Sequence, residues 1–422
     1  MVCTREGKAI IRGLSRHAHK PRAARLILRA GLGVAIALGA AGAAKAPAPG
    51  VSEKEIVVGT HVDLSGPLSG LGTAVRNGLE LAFDDINAAG GVNGRTLRLI
   101  VADNGYDARK AAAAVRVLLN RDHVIAVLCP VGTPPVAKTM PLVLYSGTLH
   151  LFPFAATDEA PRQPLEFAAD LTVPRQISVG LKAILGERGP LKVGVLYRDD
   201  ALGGAALKGA LDELAARGTR PVATAAYKAG ETNLTTALAS LHDAGAELVV
   251  MGGVAQEAIL AMQQAAAQNW LPVFLCGAGC YVPELPTLGG RSVSGLYAVS
   301  ATPIPYPDDR DVKLRDWVRR YEKRFATVAS AQAFRAYLDA RIFAAALQKA
   351  GPNPTPHRVA HALEAMSPWK DPDYGGIPVS FAPRDHIGLH TGFLAQVRNG
   401  RWTTLTGTLP TAARDTLIRY PN

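Results

Sequence analysis

The sequence predicts an α/β fold built as two successive domains, each a mainly parallel sheet flanked by helices. Three observations carry this prediction. From Glu55 onward, short β-branched runs alternate with segments of helical period, the signature of parallel strands joined by crossover helices. The alternation comes in two similar series, 56–157 and 192–277. The chain's 422 residues suffice for two domains that each bury a core.

In the first series, IVVGTHV (56–62) reads as a strand and SGPLSGLG (65–72) as a glycine-rich loop. Val75, Leu79, Ala82, Phe83 and Ile86 then repeat at helical spacing until GGVNG stops the helix. LRLIVAD (97–103), HVIAVLCP (123–130) and LHLFPFAAT (149–157) supply three more strands, with helices through Leu118 and after Pro134 between them. The second series runs KVGVLYRDD (192–200), a helix over 204–216, a strand near 221–227, a helix over 233–243, ELVVMGG (247–253), a helix over 255–268 and LPVFLCG (271–277). Beyond GLYAVSATPIPYP (295–307) come two helices, one containing Trp317, Tyr321 and Phe325, the other Phe334, Tyr337 and Leu338. The β-rich runs IPVSFAP and GFLAQVRNGRWTTL come last, so the late segments must return to one or both domains.

Composition narrows the function. With 48% hydrophobic and 19% charged residues, the chain is of an ordered globular class and not disordered, collagen-like or a disulfide scaffold. The formal net charge of +11 is concentrated at the front: residues 1–46 hold nine Lys and Arg against the single acid Glu6. The remaining body is nearly balanced and offers no electrostatic footprint for nucleic acid. The basic stretch ends at Arg29, and Ala30 to Ala44 follows as an uncharged apolar run of small residues. Residues 1–46 are therefore read as a secretory signal peptide, cleaved around Ala43 to Ala46, and the protein as exported to the periplasm. The run is shorter than the ~20 residues a helix needs to cross a bilayer. No Cys follows it, which argues against a lipid anchor.

On this reading Cys3 leaves with the leader and Cys129, Cys276 and Cys280 remain. Cys276 and Cys280 bracket CGAGC, whose three small residues allow a tight turn; a disulfide and, less naturally, a metal pair are both open. Cys129 follows VIAVL and reads as a buried small hydrophobe. His357, His361, His386 and His390 have no thiolate or carboxylate partner evident in sequence and are not read as metal ligands. GLGTAV (70–75) resembles a dinucleotide motif, but it lacks the third glycine and follows its strand only after the insertion DLSGPLS. No nucleophile elbow, zinc-protease pair or phosphate-binding loop occurs, so nothing demands catalysis or a cofactor. An exported pair of α/β domains with loops at the carboxyl ends of its strands fits a protein that binds a ligand between them.

The run from IVVGTHVDLSGPLSGLG through DDINAAGGVNG to LIVADNGYDARKAA resembles the opening of the branched-chain amino-acid binding proteins that serve ABC importers, which have the type I periplasmic binding fold. The similarity continues through VIAVLCPVGT, FPFAAT, KVGVLYRDD, ELVVMGG and VSFAPRDHIGLHTGFLAQVRNGRW, roughly residues 53–405. The resemblance implies a monomer of two lobes joined by three hinge strands, closing on a small-molecule solute and docking on a permease of the inner membrane. It places lobe 1 at 51–170 plus 303–375 and lobe 2 at 171–302 plus 376–422, with crossings near Asp170 to Thr172, Ala298 to Thr302 and Tyr374 to Ile377. A sensor of the same fold, or an exported enzyme using a thiol at Cys276 or Cys280, are the alternatives.

The resemblance also implies a site. Family members grip an amino acid's carboxylate from the loop after the third strand, here Pro130, Val131, Gly132 and Thr133, and from a turn matched by Ala155, Ala156 and Thr157. The family serine appears as Pro130, which has neither a hydroxyl nor an N–H to donate. Leu71, Leu202 and Val254 stand where aromatic residues are typical. Ala278 stands where the family carboxylate holds the ligand's ammonium group. A buried ammonium without a counter-charge is costly, so the expected solute is a more apolar or aromatic carboxylate or amide. A shifted alignment would let Asp199, Asp200, Glu257 or Glu284 supply the charge instead. Tyr106 stands where the family often has a Cys partner for Cys129. Tyr337 and Asp339 read as core or lobe-interface packing, and Asp308 to Asp311 as a solvated loop.

Overall fold

The computed structural model describes residues 48–155 and 163–405. Residues 1–47, with the segment expected to be a signal peptide, residues 156–162, including Ala156 and Thr157, and residues 406–422 lie outside the described residues. The first sheet takes its strands from β1 (Glu55–Val62), β2 (Thr96–Asp103), β3 (Ala126–Leu128), β4 (Leu149–Leu151) and β5 (Glu166–Phe167) in the order β2-β1-β3-β4-β5, all parallel. Helices α1 (Ser69–Ala88), α2 (Ala108–Asn120) and α3 (Thr133–Tyr145) make the crossovers. β5 has only two residues, too few for any period, and so adds a strand that the sequence pattern does not announce.

The chain then moves to a second sheet. α4 (Val173–Arg188), β6 (Val193–Arg198), α5 (Ala201–Ala216), β7 (Ala223–Tyr227), α6 (Thr235–Asp243), β8 (Leu248–Gly252), α7 (Ala255–Ala267), β9 (Val273–Cys276), α8 (Glu284–Gly289) and β10 (Tyr297–Ser300) follow. α9 (Val312–Phe325), α10 (Ala331–Ala350), α11 (Pro356–Ala365) and the hairpin β11 (Trp369–Asp371) to β12 (Gly375–Val379) come next, and β13 (Phe393–Arg398) and β14 (Arg401–Thr404) complete the second sheet. Its order is β14-β13-β10-β9-β8-β6-β7, parallel from β10 to β7 and antiparallel at β13 and β14. α5 begins at Ala201, three residues before the predicted start, because the Asp200 carboxylate caps it by accepting from Gly203 N–H at 3.1 Å.

α9 and α10 pack back on α1, and at that contact Gly78 is required: a Cβ there would run into the carbonyl of Ala333. Trp317, Tyr321 and Tyr337 are fully buried beside it, with Trp317 stacked on Tyr321 at 5.1 Å. β5 leads into α4, β10 into α9, and the hairpin β11–β12, a two-stranded sheet of its own, into β13 through three connecting segments. Two of them touch, as Ala168 bridges Ile387 and its N–H donates to His386 O.

Beneath α3 lie two buried histidines. Asn104 Nδ2 donates to His61 Nδ1 at 3.0 Å, so Nε2 carries the proton and donates to Thr139 Oγ1 at 2.9 Å, and Thr139 donates on to Pro135 O. His150 on β4 is fully buried with no hydrogen-bond partner on either ring nitrogen. Burial, with the neighbouring His150, pushes His61 down to about 3; burial pushes His150 down to about 4. Both are neutral in the folded chain at pH 7.

The two histidines generate a pH dependence. The unfolded chain gains protons below about pH 6.5 while the folded chain does not, so stability is full above that value and falls as the pH drops toward the folded pKa. At about 1.4 kcal/mol per pKa unit, His150 alone accounts for a loss on the order of 2 kcal/mol by about pH 4.5. Urea unfolding of His150→Leu at both pH values should show a flatter pH dependence than the parent, with little change at pH 7; an unchanged slope would refute the assignment. Cys276 and Cys280 are joined by a disulfide and Cys129 is a free, buried thiol. Alkylation of denatured chain starting after residue 46 should therefore add one adduct before reduction and three after it. Closing so short a loop stabilises by about 2 kcal/mol on the chain-entropy estimate, so reduction should lower Tm by several degrees.

Candidate ligand-binding cleft

The loops at the carboxyl ends of the parallel strands form the candidate site. After β1, the Asp63 carboxylate accepts from the N–H groups of Gly66 at 2.6 Å and Leu68 at 2.7 Å, which folds the SGP loop into α1. Asp103, ending β2, accepts from Leu64 N–H at 2.9 Å, Ser65 Oγ at 2.6 Å and Lys110 Nζ at 2.6 Å. Burial works to raise its pKa, but the Lys110 ammonium and these donors outweigh it and hold the carboxyl well below the usual range. Asp63 and Asp103 thus fasten the loop that leads into α1. Leu71, on the first turn of α1, is half-buried against the core.

The loop after β3 is buried from Cys129 to Gly132, with Thr133 opening α3. Its backbone donors are already engaged: Cys129 N–H with Leu151 O at 2.8 Å, Val131 N–H with His61 O at 2.9 Å, and Gly132 N–H with Phe154 O at 3.0 Å. Phe154 N–H in turn donates to Pro130 O at 2.8 Å, which brings the loop beside the turn at Ala155. Pro130 is therefore an acceptor within the scaffold, and the backbone N–H groups of 129, 131 and 132 are turned to strand ends and not to a solute.

On the second sheet a concavity at the ends of β8 and β9 is lined by Gln176, Leu202, Met251, Gly253, Gly277 and Gly279. Leu202 lies there directly, and a Cβ on Gly279 would meet the Val254 side chain at 3.7 Å, so Leu202, Val254 and the 277–279 turn share one apolar corner. The polar groups here are also engaged. Ala278 N–H donates to Gln176 Oε1 at 2.7 Å, and Gln176 Nε2 to Leu171 O at 2.8 Å. Val254 N–H donates to Glu257 Oε2 at 3.0 Å.

Two of the acids that could have replaced a missing counter-charge, Glu257 and Asp200, have other roles. Glu257 is buried, accepts from Tyr227 Oη at 2.9 Å and lies 3.6 Å from Arg198. Asp200 caps α5 and pairs with Arg198 at 2.6 Å, while Asp199 and Glu284 are exposed. Tyr106 sets its ring against Gly132; burial raises its pKa, and Arg198, Asp200 and Asp63 lie near enough for their charges to act on it. The first-sheet loops therefore face those of the second sheet across a crevice. Cys276 and Cys280, both buried, hold no free thiol for nucleophilic chemistry.

Sequence reasoning missed Gln176, whose helical position carries no motif, and it read Asp339 only as packing. Asp339 is 2% exposed, with Oδ2 3.7 Å from Cys129 Sγ and 3.4 Å from Arg335 Nε. Burial pushes its carboxyl up to about 7. The histidines are dispersed: His361 and His386 both approach Glu364, and His390 approaches Asp385. No group of three metal-ligating side chains occurs among the described residues.

Comparison with known proteins agrees with this architecture. The chain is 24% identical over 398 residues to a Leu/Ile/Val-binding protein homolog of Brucella suis, covering 91% of this chain and 96% of that protein. Among solved structures, a fatty acid ABC transporter substrate-binding protein from Thermomonospora curvata superposes with a TM-score of 0.74 at 21% identity, over 86% of this chain and 94% of that one. A substrate-binding periplasmic protein from Ralstonia solanacearum gives 0.71 at 27% identity, over 83% and 99%. The family model described as periplasmic binding protein matches residues 55–401, so the chain belongs to the periplasmic binding protein family.

Proposed function

We propose that this protein is an exported, monomeric solute-binding component of an ABC importer, carried to the periplasm by residues 1–46. It captures a small apolar or aromatic carboxylate or amide between two lobes, one built on each sheet, and presents the closed form to a permease of the inner membrane. Closure is favoured by the solute because only the closed form lets it touch both lobes, and periplasmic binding proteins are a standard example of such hinge motion.

One observation carries the solute class: at the second-sheet corner of the crevice, Gln176, Glu257 and the N–H groups of Val254 and Ala278 are already paired within the protein. Leu202, Val254 and Ala278 present an apolar corner, and Glu257 is held by Tyr227, Val254 N–H and Arg198. An α-ammonium group would lose its water there and find the corner's buried carboxylate, Glu257, already engaged, a penalty of several kcal/mol. By the family resemblance, Thr133 and Thr157 are the hydroxyl residues assigned to the solute's oxygen atoms. The similarity to a fatty-acid-binding component supports a solute without an ammonium group; the similarity to proteins named for leucine, isoleucine and valine keeps amino acids in the comparison.

A solute that binds only the folded form raises its stability, by about 2.7 kcal/mol at a concentration a hundred times Kd. A thermal-shift screen should therefore show Tm rising by several degrees with apolar or aromatic carboxylates or amides and not with leucine, valine or phenylalanine. Stabilisation by the amino acids alone would overturn the solute class. Ala278→Glu restores a carboxylate to the apolar corner, so this variant should gain at least about tenfold in leucine affinity by calorimetry while losing affinity for the apolar acid.

A further inference from the structure

Behind the crevice, Arg335 on α10 touches three parts of the chain at once. Its Nη1 donates to Asp170 in the first segment between the sheets. Its guanidinium carbon lies over the Phe154 ring, 4.0 Å from the centroid. Its Nε lies 3.4 Å from Asp339, whose Oδ2 meets Cys129 Sγ at 3.7 Å. Phe154 and Cys129 belong to the two loops that form the first-sheet side of the cleft. Arg335 is 8% exposed, and among the described residues its Nε and Nη2 have no hydrogen-bond partner.

This arrangement is a poor way to gain stability. A buried ion cluster roughly balances its desolvation, and a guanidinium whose Nη2 has no hydrogen bond and whose Nε reaches Asp339 only at ion-pair distance weighs against it. It is a good way to fix geometry, because a planar fork that bonds along its edge and stacks on its face constrains both partners. Beside it lies a cavity of about 90 Å³ lined by Arg335, Asp339, Ala169, Thr302, Pro303 and Ile377, side chains that come from α10 and from segments joining or flanking the two sheets. Close-packed interiors resist continuous deformation, and this gap leaves room for those segments to shift.

We propose that Arg335 is a positioning residue that couples the segment at Asp170 to the ligand loops at 129–132 and 153–155. Movement of the hinge then re-aims those loops, and a solute settled on the loops biases the hinge. The inference rests on the cleft being the solute site, but its test needs no solute.

The test is amide hydrogen exchange on the full-length protein without added solute. The amides of Cys129, Val131, Gly132 and Phe154 are all hydrogen-bonded and report loop opening. Arg335→Met should speed their exchange by at least about tenfold while amides of α7 stay unchanged, and Arg335→Lys, which keeps the charge, should restore much of the protection. Asp170→Asn lies outside both loops, is nearly isosteric and is expected to fold; it should also speed exchange at Val131, Gly132 and Phe154. The double variant Arg335→Met/Asp170→Asn should be no faster than Arg335→Met alone, since both act through one contact. If Asp170→Asn leaves those amides within about twofold of the parent, or if the two effects simply multiply, the coupling is wrong. That outcome would leave the solute class untouched.

Discussion

A charge or hydrogen-bonding group inside a protein must find a partner or be kept out, and this constraint organises the molecule from its loops to its cleft. Asp63 and Asp103 are usable at the strand ends because each collects several donors, and by collecting them they shape the loop that leads into α1. The loop from Cys129 to Gly132 keeps its buried backbone satisfied by bonding to neighbouring strand ends. Glu257 is tolerated because Tyr227, Arg198 and the Val254 N–H surround it. What remains for a solute is a crevice whose described polar groups are largely engaged and whose second-sheet corner is apolar.

The same constraint separates structural acids from binding acids. A carboxylate that faces a cleft with no partner is a counter-ion in waiting, whereas Glu257 and Asp200 are already neutralised by contacts that hold helix starts in place. Pro130 makes the complementary point. It removes an N–H from the loop, and its carbonyl accepts from Phe154, so the residue that lacks a donor for the solute still joins the two loops of the first-sheet side. Among the described residues, buried nitrogens without a hydrogen bond occur on His150, Arg188, Gln268, Trp317 and Arg335, and two of these show how the cost is met. His150 sheds its charge, and Arg335 keeps its own by borrowing Asp170, Asp339 and the face of Phe154.

Much of this was legible in the residues. Alternating β-branched runs and helical spacings marked the parallel sheets, because burial on both faces leaves a strong apolar signature. β5 was not, since two residues carry no period, and the early start of α5 depended on a side-chain cap at Asp200. At the site, the resemblance brought forward Leu202, Val254 and Ala278, and the structure gathers Leu202 and Val254 around the turn that contains Ala278. The partners that engage the polar groups were hidden. Gln176 reaches Ala278 across 102 residues and Asp170 reaches Arg335 across 165, distances at which no local pattern records a contact.

The central claim is that the cleft favours a solute without an ammonium group. It is tested most directly by calorimetric titration with a matched pair, leucine and 4-methylpentanoate, which differ only in the amine. The account predicts that the deaminated acid binds at least about tenfold more tightly, since the unpaired ammonium costs more than the 1.4 kcal/mol that separates tenfold affinities. Tighter binding of leucine would contradict it and would require an uncompensated carboxylate to face the solute.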